Sequence, residues 1–576
     1  MDQPDLTHTK ELESQNTAPA TTASRRALLK LGAAASVAAG AAGIAPSAAA
    51  SNGQSSGGPS QASLRRRIRQ TYSTRLRAAR RNMAASLEAD DQEVNDDDLR
   101  YSSENYYAAF TKTLPHDNFG EVDPAAYEAL QAAARSGRTD RYDLIPLDPT
   151  AARKLANPQG AYRLDITGLD GHFTRINEAH RFRSPDIAGE MVEVYWQAIC
   201  RDVPFINYGS DASVAAAIAD LNNLSVIPGE EATGPASVQT LFRGETPGDI
   251  VGPYISQLLW LPFSFGSVDV EQRYETGSFG VDYMTTLPNW LNILRGGAPL
   301  EAASFDATKR YIFDNRSLGE YVHRDVLYQA YLHATLILLG YGGAALDEGN
   351  PYVSDITNQG AFTSLGGPFI IDMVSKAANL SLQGAWYQKW LHRFLRPEVL
   401  SGRVHYHITG DRTYELHDDV LNSQAVSTLL SNNGNALLPM GYIEGSPTHP
   451  SYPAGHATIA GACVTVLKAF FNENFVIPNP VEANATGDSL LNWTGADLTI
   501  GGELNKLANN IAIGRDAAGV HYRQDGVQGL FGGEQQAIML LQDYTSTLSE
   551  RNFGGFTLTR FDGTTIRISR GRVFEL

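Results

Sequence analysis

Cysteine is nearly absent from this sequence, which has only two cysteines, Cys200 and Cys463, in 576 residues. Neither cysteine stands where a nucleophile would be expected, and no Cys/His spacing is of the zinc-binding kind. Both are predicted to be buried free thiols, while a bridge between them stays open if the protein is exported. Thiol catalysis and a structural zinc site are therefore not expected.

Long hydrophobic runs and an excess of basic residues are also missing. Beyond the first 50 residues no stretch approaches the roughly 20 apolar residues of a membrane helix, so no membrane span is expected in the mature protein. The 46 basic and 63 acidic residues give a formal net charge of −17, which argues against nucleic acid as a partner. A chain of 576 residues suits one large domain or two fused ones.

The first 50 residues have the pattern of an export signal. A polar start leads to the Arg25-Arg26 pair, an apolar run follows from Leu31 to Ile44, and small residues end the segment at 48–50. This order predicts a twin-arginine signal over residues 1–50, and thus a periplasmic or extracellular protein exported in folded form. The alternative is a chance arginine pair at the start of an amphipathic helix.

Residues 51–100 are predicted to be a flexible linker and a charged N-terminal arm. The linker is rich in Gly, Ser and Gln, and the run from Leu64 to Leu87 is helical in pattern and carries eight arginines. An acidic segment, Asp90 to Asp98, follows at once. The arm is expected to pack on acidic surface; binding to an anionic surface is the alternative.

From Tyr106 onward the pattern is mostly helical. The tail from residue 556 alternates in polarity around Asp562-Gly563, which predicts a β-hairpin. The fold class is therefore all-α with a small C-terminal β-hairpin. Apolar residues recur with helical period in the following segments: Ala188–Val203, Ala212–Leu224, Pro288–Leu294, Gly319–Leu339 and Leu416–Leu430.

The stretch from Glu444 to Ala457 is the most distinctive part of the chain. A Pro-rich approach ends at Ala454-Gly455, after which an apolar run predicts a helix that begins beside His456. The free N–H groups at a helix start favour an anion, and an imidazole beside it can act as acid or base. The alternative is a Pro/Gly loop with an incidental histidine.

A second segment, 386–397, is helical in pattern. Lys389 and Arg396 are seven residues apart and are predicted to share a helix face, with Trp386 one turn before Lys389 and Pro397 ending the helix. Two cations on an aromatic helix are costly to bury without an anion. A solvated basic face is the alternative.

A third segment, 514–525, contains Arg515 and His521. Gly519 between them allows a break between two helices, so that both side chains can face one pocket. Asp525, four residues after His521, can hold one imidazole nitrogen and leave the other free as a ligand or nucleophile. A surface His–Asp pair is the alternative.

Taken together, the three segments resemble the motifs of the vanadium-dependent haloperoxidases and of the related acid and type-2 phosphatidic acid phosphatases. The matching pieces are Lys389-x6-Arg396-Pro397, Pro453-Ala454-Gly455-His456 and Gly514-Arg515-x5-His521. Further pieces resemble the algal-type bromoperoxidase branch, over roughly residues 100–550: Trp386, His449, Ala518–Tyr522 and Leu114–Asp123.

The resemblance implies a helical bundle over residues 101–576 that holds one vanadate between motifs 386–397, 446–457 and 514–525. It implies that Lys389, Arg396, Gly455, Arg515 and His521 bind the oxyanion, with His521 as the vanadium ligand oriented by Asp525. It also implies that His456 acts as acid/base, that Lys389 polarises bound peroxide, and that Trp386 and His449 influence which halide reacts. Hydrogen peroxide would oxidise bromide or iodide to hypohalous acid for small organic acceptors. A homodimer or higher homo-oligomer is expected.

One departure from the family pattern is Ala454, which stands where the family usually has a serine whose hydroxyl donates to the oxyanion. Its loss predicts a weaker or slower enzyme rather than an inactive one, unless Ser451 or His449 fills the role. Two other functions stay open on sequence grounds. One is an exported acid phosphatase with a phosphohistidine intermediate at His521, and the other is a non-catalytic oxyanion-binding protein.

Overall fold

The computed structural model describes residues 60–87, 92–550 and 552–576. The predicted export signal and most of the predicted linker lie outside the described residues. By its contacts the chain divides into a large unit, Ser73–Leu576, and a small unit that ends at Tyr72. The predicted basic helix is present as α1, Gln61–Leu87. In the large unit, Arg81 of this helix forms a 2.7 Å salt bridge with Asp543.

The described chain is mainly helical, and the predicted fold class is confirmed. The longer helices after α1 are α2 Pro124–Ser136, α3 Pro185–Ile199, α4 Ala212–Leu221, α5 Leu287–Leu294, α6 Asn315–Arg324, α7 Gln329–Gly340, α8 Gly367–His392, α9 Pro397–Thr409, α10 Gln424–Asn433, α11 Gly455–Phe470, α12 Ile500–Ala517 and α13 Arg523–Thr545. Shorter helical turns are Asp97–Arg100, Ser102–Glu104, Thr139–Tyr142, Pro158–Tyr162, Gly171–Phe173, Phe205–Asn207, Glu230–Thr233, Gln257–Leu259, Gly342–Ala345, Pro351–Ser354 and Asp418–Leu421. The strands are β1 Phe263–Phe265, β2 Val268–Val270, β3 Val481–Ala483, β4 Leu490–Asn492, β5 Phe556–Thr559, β6 Thr565–Ser569 and β7 Arg572–Glu575.

Helix α11 is the centre of the core. All 16 of its residues are buried, and it packs against α8, α12 and α13. A helix that is apolar on all sides is stable only inside a large core. Its first residue, Gly455, follows the Pro-rich approach, as the sequence predicts. The stretch that carries His456 therefore begins at the most enclosed helix of the protein.

Glycines allow the backbones of α11 and α13 to approach closely. A Cβ on Gly533 would lie 2.0 Å from the carbonyl oxygen of Thr458, and a Cβ on Gly461 would lie 2.2 Å from that of Leu530. Real Cβ atoms do not approach backbone atoms so closely, because interiors are already close-packed. The spacing of these two helices thus depends on residues without side chains.

Two predicted helices are each broken in the structure, so the predictions of single helices over 319–339 and 416–430 are wrong. In the first, α6 ends at Arg324 and α7 begins at Gln329, and Asp325 takes an extended conformation. In the second, a new helix begins after Ser423, whose hydroxyl accepts from the backbone N–H of Val426. Apolar periodicity continues across both breaks, and so it did not reveal them.

The predicted C-terminal hairpin is present and is extended by one strand. Strands β5 and β6 pair antiparallel around the Asp562-Gly563 turn, and β7 pairs antiparallel with β6. The second turn has φ of 50° at Arg570 and 75° at Gly571. Positive φ at both central residues is the geometry of a tight hairpin turn.

The two cysteines are as predicted. Cys200 and Cys463 are both buried and free. Within residues 60–87, 92–550 and 552–576, none of the helices combines the length and the apolar character of a membrane span.

Substituting Gly533 by alanine is expected to destabilise the protein by about 1–3 kcal/mol, because the added methyl forces α11 and α13 apart. Gly340→Ala is the matched control, since a Cβ there meets nothing within 4 Å. It should leave stability unchanged or raise it by about 0.5–1 kcal/mol. Urea unfolding of both variants measures the difference, and equal stabilities would contradict the close approach.

Candidate active site

Arg396 lies between two helices rather than on one. Helix α8 ends at His392, Arg393 is left-handed with φ 48°, and α9 begins at Pro397. Arg396 itself is extended, with φ −88° and ψ 154°. A residue before proline avoids the helical region, and proline is well suited to the first position of a helix. The prediction that Lys389 and Arg396 share one helix face is therefore wrong.

The Arg396 side chain nevertheless joins the three predicted segments. Its Nε and Nη2 donate to the carbonyl of His449 at 3.0 and 2.9 Å. Nη1 donates to the carbonyl of Val520 at 2.7 Å and lies 3.1 Å from Nε2 of His521. The guanidinium is fully buried. The break between α8 and α9 thus allows one side chain to reach both other motifs.

This guanidinium sets the hydrogen-bonding role of Nε2 on His521, because arginine can only donate and Nε2 must therefore accept. Nδ1 of His449 lies 3.0 Å from Nη2 of Arg396 and 3.2 Å from the carbonyl of Pro450. Burial, together with the Arg396 and Lys389 charges, holds the pKa of both imidazoles well below the usual range. Both rings are therefore neutral at pH 7, and His521 presents an unprotonated Nε2.

Asp525 holds the other side of the His521 ring. Its Oδ2 lies 2.8 Å from Nδ1 of His521 and also accepts from the hydroxyl of Ser451 and the backbone N–H of Tyr522. Burial raises the pKa of Asp525 to about 6. Helix α13 begins at Arg523, so His521 precedes the helix and Asp525 lies in its first turn. The break at Gly519, with φ 85°, makes this arrangement possible.

Lys389 is fully buried against the start of α11. Its Nζ donates to the carbonyls of Pro450 and Ser451 at 3.0 and 2.8 Å, and a Cβ on Gly455 would lie 3.8 Å from its Cε. An ammonium has three N–H donors, so one is left over. Burial and the nearby Arg396 charge lower the pKa of Lys389 well below its usual value.

His456 is the second residue of α11 and contacts Asp325, with 2.9 Å between its Nε2 and Oδ1. Burial lowers the pKa of His456 to about 4, although Asp325 acts in the opposite direction. The neutral ring donates from Nε2 to the carboxylate and keeps Nδ1 as a proton acceptor. Sequence analysis missed Asp325, because it falls inside a predicted helix and belongs to no motif.

Arg515, in the last turn of α12, also lines the site. Its Nη1 donates to the carbonyl of Val322 at 2.8 Å and to the hydroxyl of Tyr442 at 3.3 Å. Its Nε is buried and has no hydrogen-bond partner among the described residues. Tyr442, whose ring lies 5.4 Å from the guanidinium carbon, was also missed by sequence analysis. A buried cationic N–H without a partner is the donor that a bound anion would satisfy.

The remaining predicted residues lie at the edges of this arrangement. Trp386 is half-buried, its ring centroid lies 4.8 Å from that of His449, and its Nε1 donates to the carbonyl of Asn157 at 2.9 Å. Ala454 is fully buried at the N-cap position of α11, where it makes no side-chain cap. Ser451 does not replace the missing hydroxyl, because its own hydroxyl is bound to Asp525.

The site as a whole is suited to an oxyanion. Three buried cations, Lys389, Arg396 and Arg515, accompany an unprotonated nitrogen on His521. The backbone N–H groups of the first turn of α11, beginning at Gly455, have no carbonyl within the helix to bind. An oxyanion with an electrophilic central atom would bind the unpartnered Nε–H of Arg515, and its central atom would replace the Arg396 N–H at the lone pair of His521 Nε2.

Comparison with known proteins identifies the family. The family model "VCPO second helical-bundle domain" matches residues 370–550. A vanadium-dependent bromoperoxidase of Ascophyllum nodosum is 35% identical over 493 residues, which cover 81% of this chain and 88% of that protein. One of Corallina pilulifera is 31% identical over an alignment of 596 residues, which covers 88% of this chain and 99% of that protein. The chain belongs to the vanadium-dependent bromoperoxidase family.

The resemblance to the algal branch of this family is therefore confirmed, and the solved structures agree. The homohexameric second vanadate-dependent bromoperoxidase from Ascophyllum nodosum matches with a TM-score of 0.83 at 30% identity. The match covers 92% of this chain and 96% of that chain. The bromoperoxidase fold thus extends well beyond the region matched by the family model.

Ala454→Ser is expected to tighten vanadate binding about tenfold to a hundredfold, because an aligned hydroxyl bond to a charged oxygen contributes about 1.5–3 kcal/mol. A serine at an N-cap can instead cap its own helix, which would add about 1 kcal/mol to stability. Vanadate titration and thermal unfolding of the metal-free protein separate these effects. Unchanged affinity and unchanged bromination would show that the alanine is no deficit.

Proposed function

We propose that this bromoperoxidase family member binds one vanadate per active site and uses hydrogen peroxide to oxidise bromide or iodide to hypohalous acid. The acid then halogenates small organic acceptors. The observation that carries the proposal is the placement of His521: its Nδ1 is held by Asp525 and its Nε2 faces the buried guanidinium of Arg396, an arrangement in which Nε2 is the unprotonated nitrogen. This is the state that a nitrogen needs to bind a metal centre.

Vanadate fits the residues that are present. An oxyanion with two or three negative charges needs several fixed cations, and Lys389, Arg396 and Arg515 supply them. The unpartnered Nε of Arg515 and the third N–H of Lys389 are donors that find no partner in the part of the chain that the structure describes. We assign His521 as the vanadium ligand. Bound vanadate would act as a Lewis acid that activates hydrogen peroxide toward halide.

The other residues move protons and shape the entrance. Nδ1 of His456 would accept the proton that hydrogen peroxide releases, and Asp325 would stabilise the charged ring through Nε2. Lys389 would polarise the peroxide oxygen that halide attacks. Trp386 and His449, whose rings are in contact, would border the path of the halide.

Two statements about context are also proposals. The export signal predicted for residues 1–50 supports a folded protein carried by the twin-arginine route to the periplasm or the outside. The homohexameric assembly of the Ascophyllum nodosum relative supports a homo-oligomer here as well. Light scattering of the purified protein tests the second statement, and fractionation of cells that express the full chain tests the first.

One assay tests the proposed activity against its alternatives. The metal-free protein is supplied with vanadate, hydrogen peroxide and bromide, and bromination of a phenol-type dye is followed; phosphate-ester hydrolysis is followed without vanadate. Bromination that requires vanadate is the expected result. Hydrolysis alone would select a phosphatase with a phosphohistidine at His521, and neither activity would leave an oxyanion-binding protein.

The two histidines are expected to fail in different ways. His521→Ala should lose vanadate on dialysis, because it removes the metal ligand. His456→Ala should retain vanadate but lose turnover about a hundredfold or more, because it removes proton transfer. Metal content after dialysis, measured beside bromination rate, checks both outcomes. Equal vanadate retention in the two variants would contradict the assignment of roles.

Asp325→Asn is expected to lower the pKa of His456 below its value of about 4, because it removes the negative charge that raises it. Because His456 becomes a weaker base, the maximum bromination rate should fall. In the pH–rate profile, the loss of activity toward acid should move to lower pH, since the ring stays neutral at lower pH than in the wild type. NMR titration of labelled histidine in the metal-free protein measures the pKa directly. A His456 pKa that rises would show that Asp325 does not act on this ring.

A further inference from the structure

A second layer of buried charge lies behind the oxyanion site. Lys112 and Glu398 form a 2.7 Å salt bridge between side chains that are 0% and 1% exposed. The side-chain hydrogen bonds of this pair run between its two members and to the backbone of residues 444–446, while the charges of both members act on Arg396. Buried ion pairs are not reliable stabilisers, because desolvation offsets their attraction. A contribution to stability therefore does not by itself account for this pair.

The pair holds the start of the loop that carries His449, residues 444–451, which we name the site loop. The Lys112 ammonium donates to the carbonyls of Glu444 and Ser446 as well as to Glu398. All three of its N–H donors are thus used. The second carboxylate oxygen of Glu398 accepts from the backbone N–H of Ser446. The pair therefore binds both carbonyl and N–H groups of the loop backbone at its beginning.

The end of the site loop is held by the site cations themselves. Arg396 binds the carbonyl of His449, and Lys389 binds the carbonyls of Pro450 and Ser451. The same bonds decide where these cations point. A displacement of the loop would therefore move both cations, and with them the third N–H of Lys389, since each cation follows the carbonyls that it binds.

The segment that contains Lys112 also lies beside residues 393–396, which connect α8 to α9 and include Arg396. Ala109 pairs with Phe394 as an antiparallel bridge, and the backbone N–H of Phe110 donates to the carbonyl of Arg393 at 2.8 Å. On its other side, the backbone N–H of Ser451 donates to the carbonyl of Phe394 at 3.0 Å. Three stretches of chain, distant in sequence, are thus joined side by side at the oxyanion site.

The Leu114–Asp123 motif, which no part of the proposed mechanism uses, is fastened to the same helix as Glu398. Arg403 of α9 is fully buried and donates to the carbonyls of Phe119 and Gly120 at 3.0 and 2.7 Å. The motif begins two residues after Lys112. Its attachment to α9 fixes the segment from which the Lys112 side chain reaches the site loop.

We propose that Lys112, paired with Glu398, is a positioning residue for the oxyanion site: it sets the path of the site loop, whose carbonyls aim Lys389 and Arg396. The inference rests on the proposed function, because vanadate is the anion for which the cations are aimed. Lys112 acts through the loop and does not touch the oxyanion. Outer residues that orient the groups binding a metal commonly change affinity by about tenfold to a hundredfold.

The test compares Lys112 with a second lysine that is equally buried and is likewise paired with a buried glutamate. Lys506 forms a 2.6 Å salt bridge with Glu503, donates to the carbonyl of Val251, and is as buried as Lys112. Glu503 likewise accepts from a backbone N–H, that of Gln257. Lys506 lies nine residues before Arg515 on α12, roughly 13 Å along the helix. The Lys506–Glu503 pair is therefore the control: removing it removes a buried ion pair but leaves the contacts of the site loop intact.

Each lysine is changed to methionine alone and together with its glutamate changed to glutamine. The double variants, Lys112→Met/Glu398→Gln and Lys506→Met/Glu503→Gln, keep the net charge and leave no unpaired buried carboxylate. They also provide the test if a single variant fails to fold. Vanadate dissociation constants of the metal-free proteins and their thermal unfolding temperatures are measured, together with bromination by the wild type.

We expect both Lys112 variants to bind vanadate at least about tenfold more weakly than wild type. Both Lys506 variants should keep wild-type affinity even where they lose as much thermal stability. Wild-type affinity in the Lys112 double variant, or equal losses in the Lys506 variants, would overturn the inference and leave the proposed function intact. A wild type that binds no vanadate would overturn both.

Discussion

The buried guanidinium of Arg396 is the contact on which the active site depends. It donates to the carbonyls of His449 and Val520 and to Nε2 of His521. A buried charge is tolerated only when its donors are satisfied, and here the backbone satisfies them before any anion binds. Because those carbonyls belong to the two other motif segments, the same bonds that stabilise the charge also assemble the site. An incoming oxyanion thus meets cations that are already in place, which lowers the cost of organising them on binding.

The charge distribution of the site also sets its proton chemistry. Several buried cations lie close together in a protein whose formal net charge is −17. Burial and these charges together hold the pKa of His521 and His449 well below the usual range, while Asp525 binds a ring nitrogen of His521 and Asp325 binds one of His456. One imidazole is left with a lone pair for a metal centre and another with a lone pair for a proton. Two chemically identical side chains acquire different roles because different carboxylates and cations surround them.

The site loop shows how the family's distant upstream motif bears on the site. Its beginning is held by the Lys112–Glu398 pair, and its end is held by Lys389 and Arg396. Ala454 follows directly after this loop, and the hydroxyl of Ser451 is already committed to Asp525. Ser451 therefore does not take the place of the serine that the family usually carries, which leaves the cations and the amides of α11 as the donors described for the oxyanion. The position of the loop matters more in such a site, since fewer side-chain donors hold the oxyanion if Lys389 and Arg396 are displaced.

The sequence by itself determined the fold class, the family and the three segments that form the site, because turn residues, helix starts and the spacing of charged groups are local properties. It also indicated the His521–Asp525 contact, since a spacing of four residues limits how far apart two side chains can lie. Only the tertiary structure decided that Arg396 stands between two helices, that Asp325 leaves a helix to reach His456, and that Tyr442 lies beside Arg515. It also decided that Lys112 holds a loop more than 300 residues away in sequence. These contacts join residues far apart in the chain, and they follow from the need of each buried charge for a partner, which no local pattern of residues records.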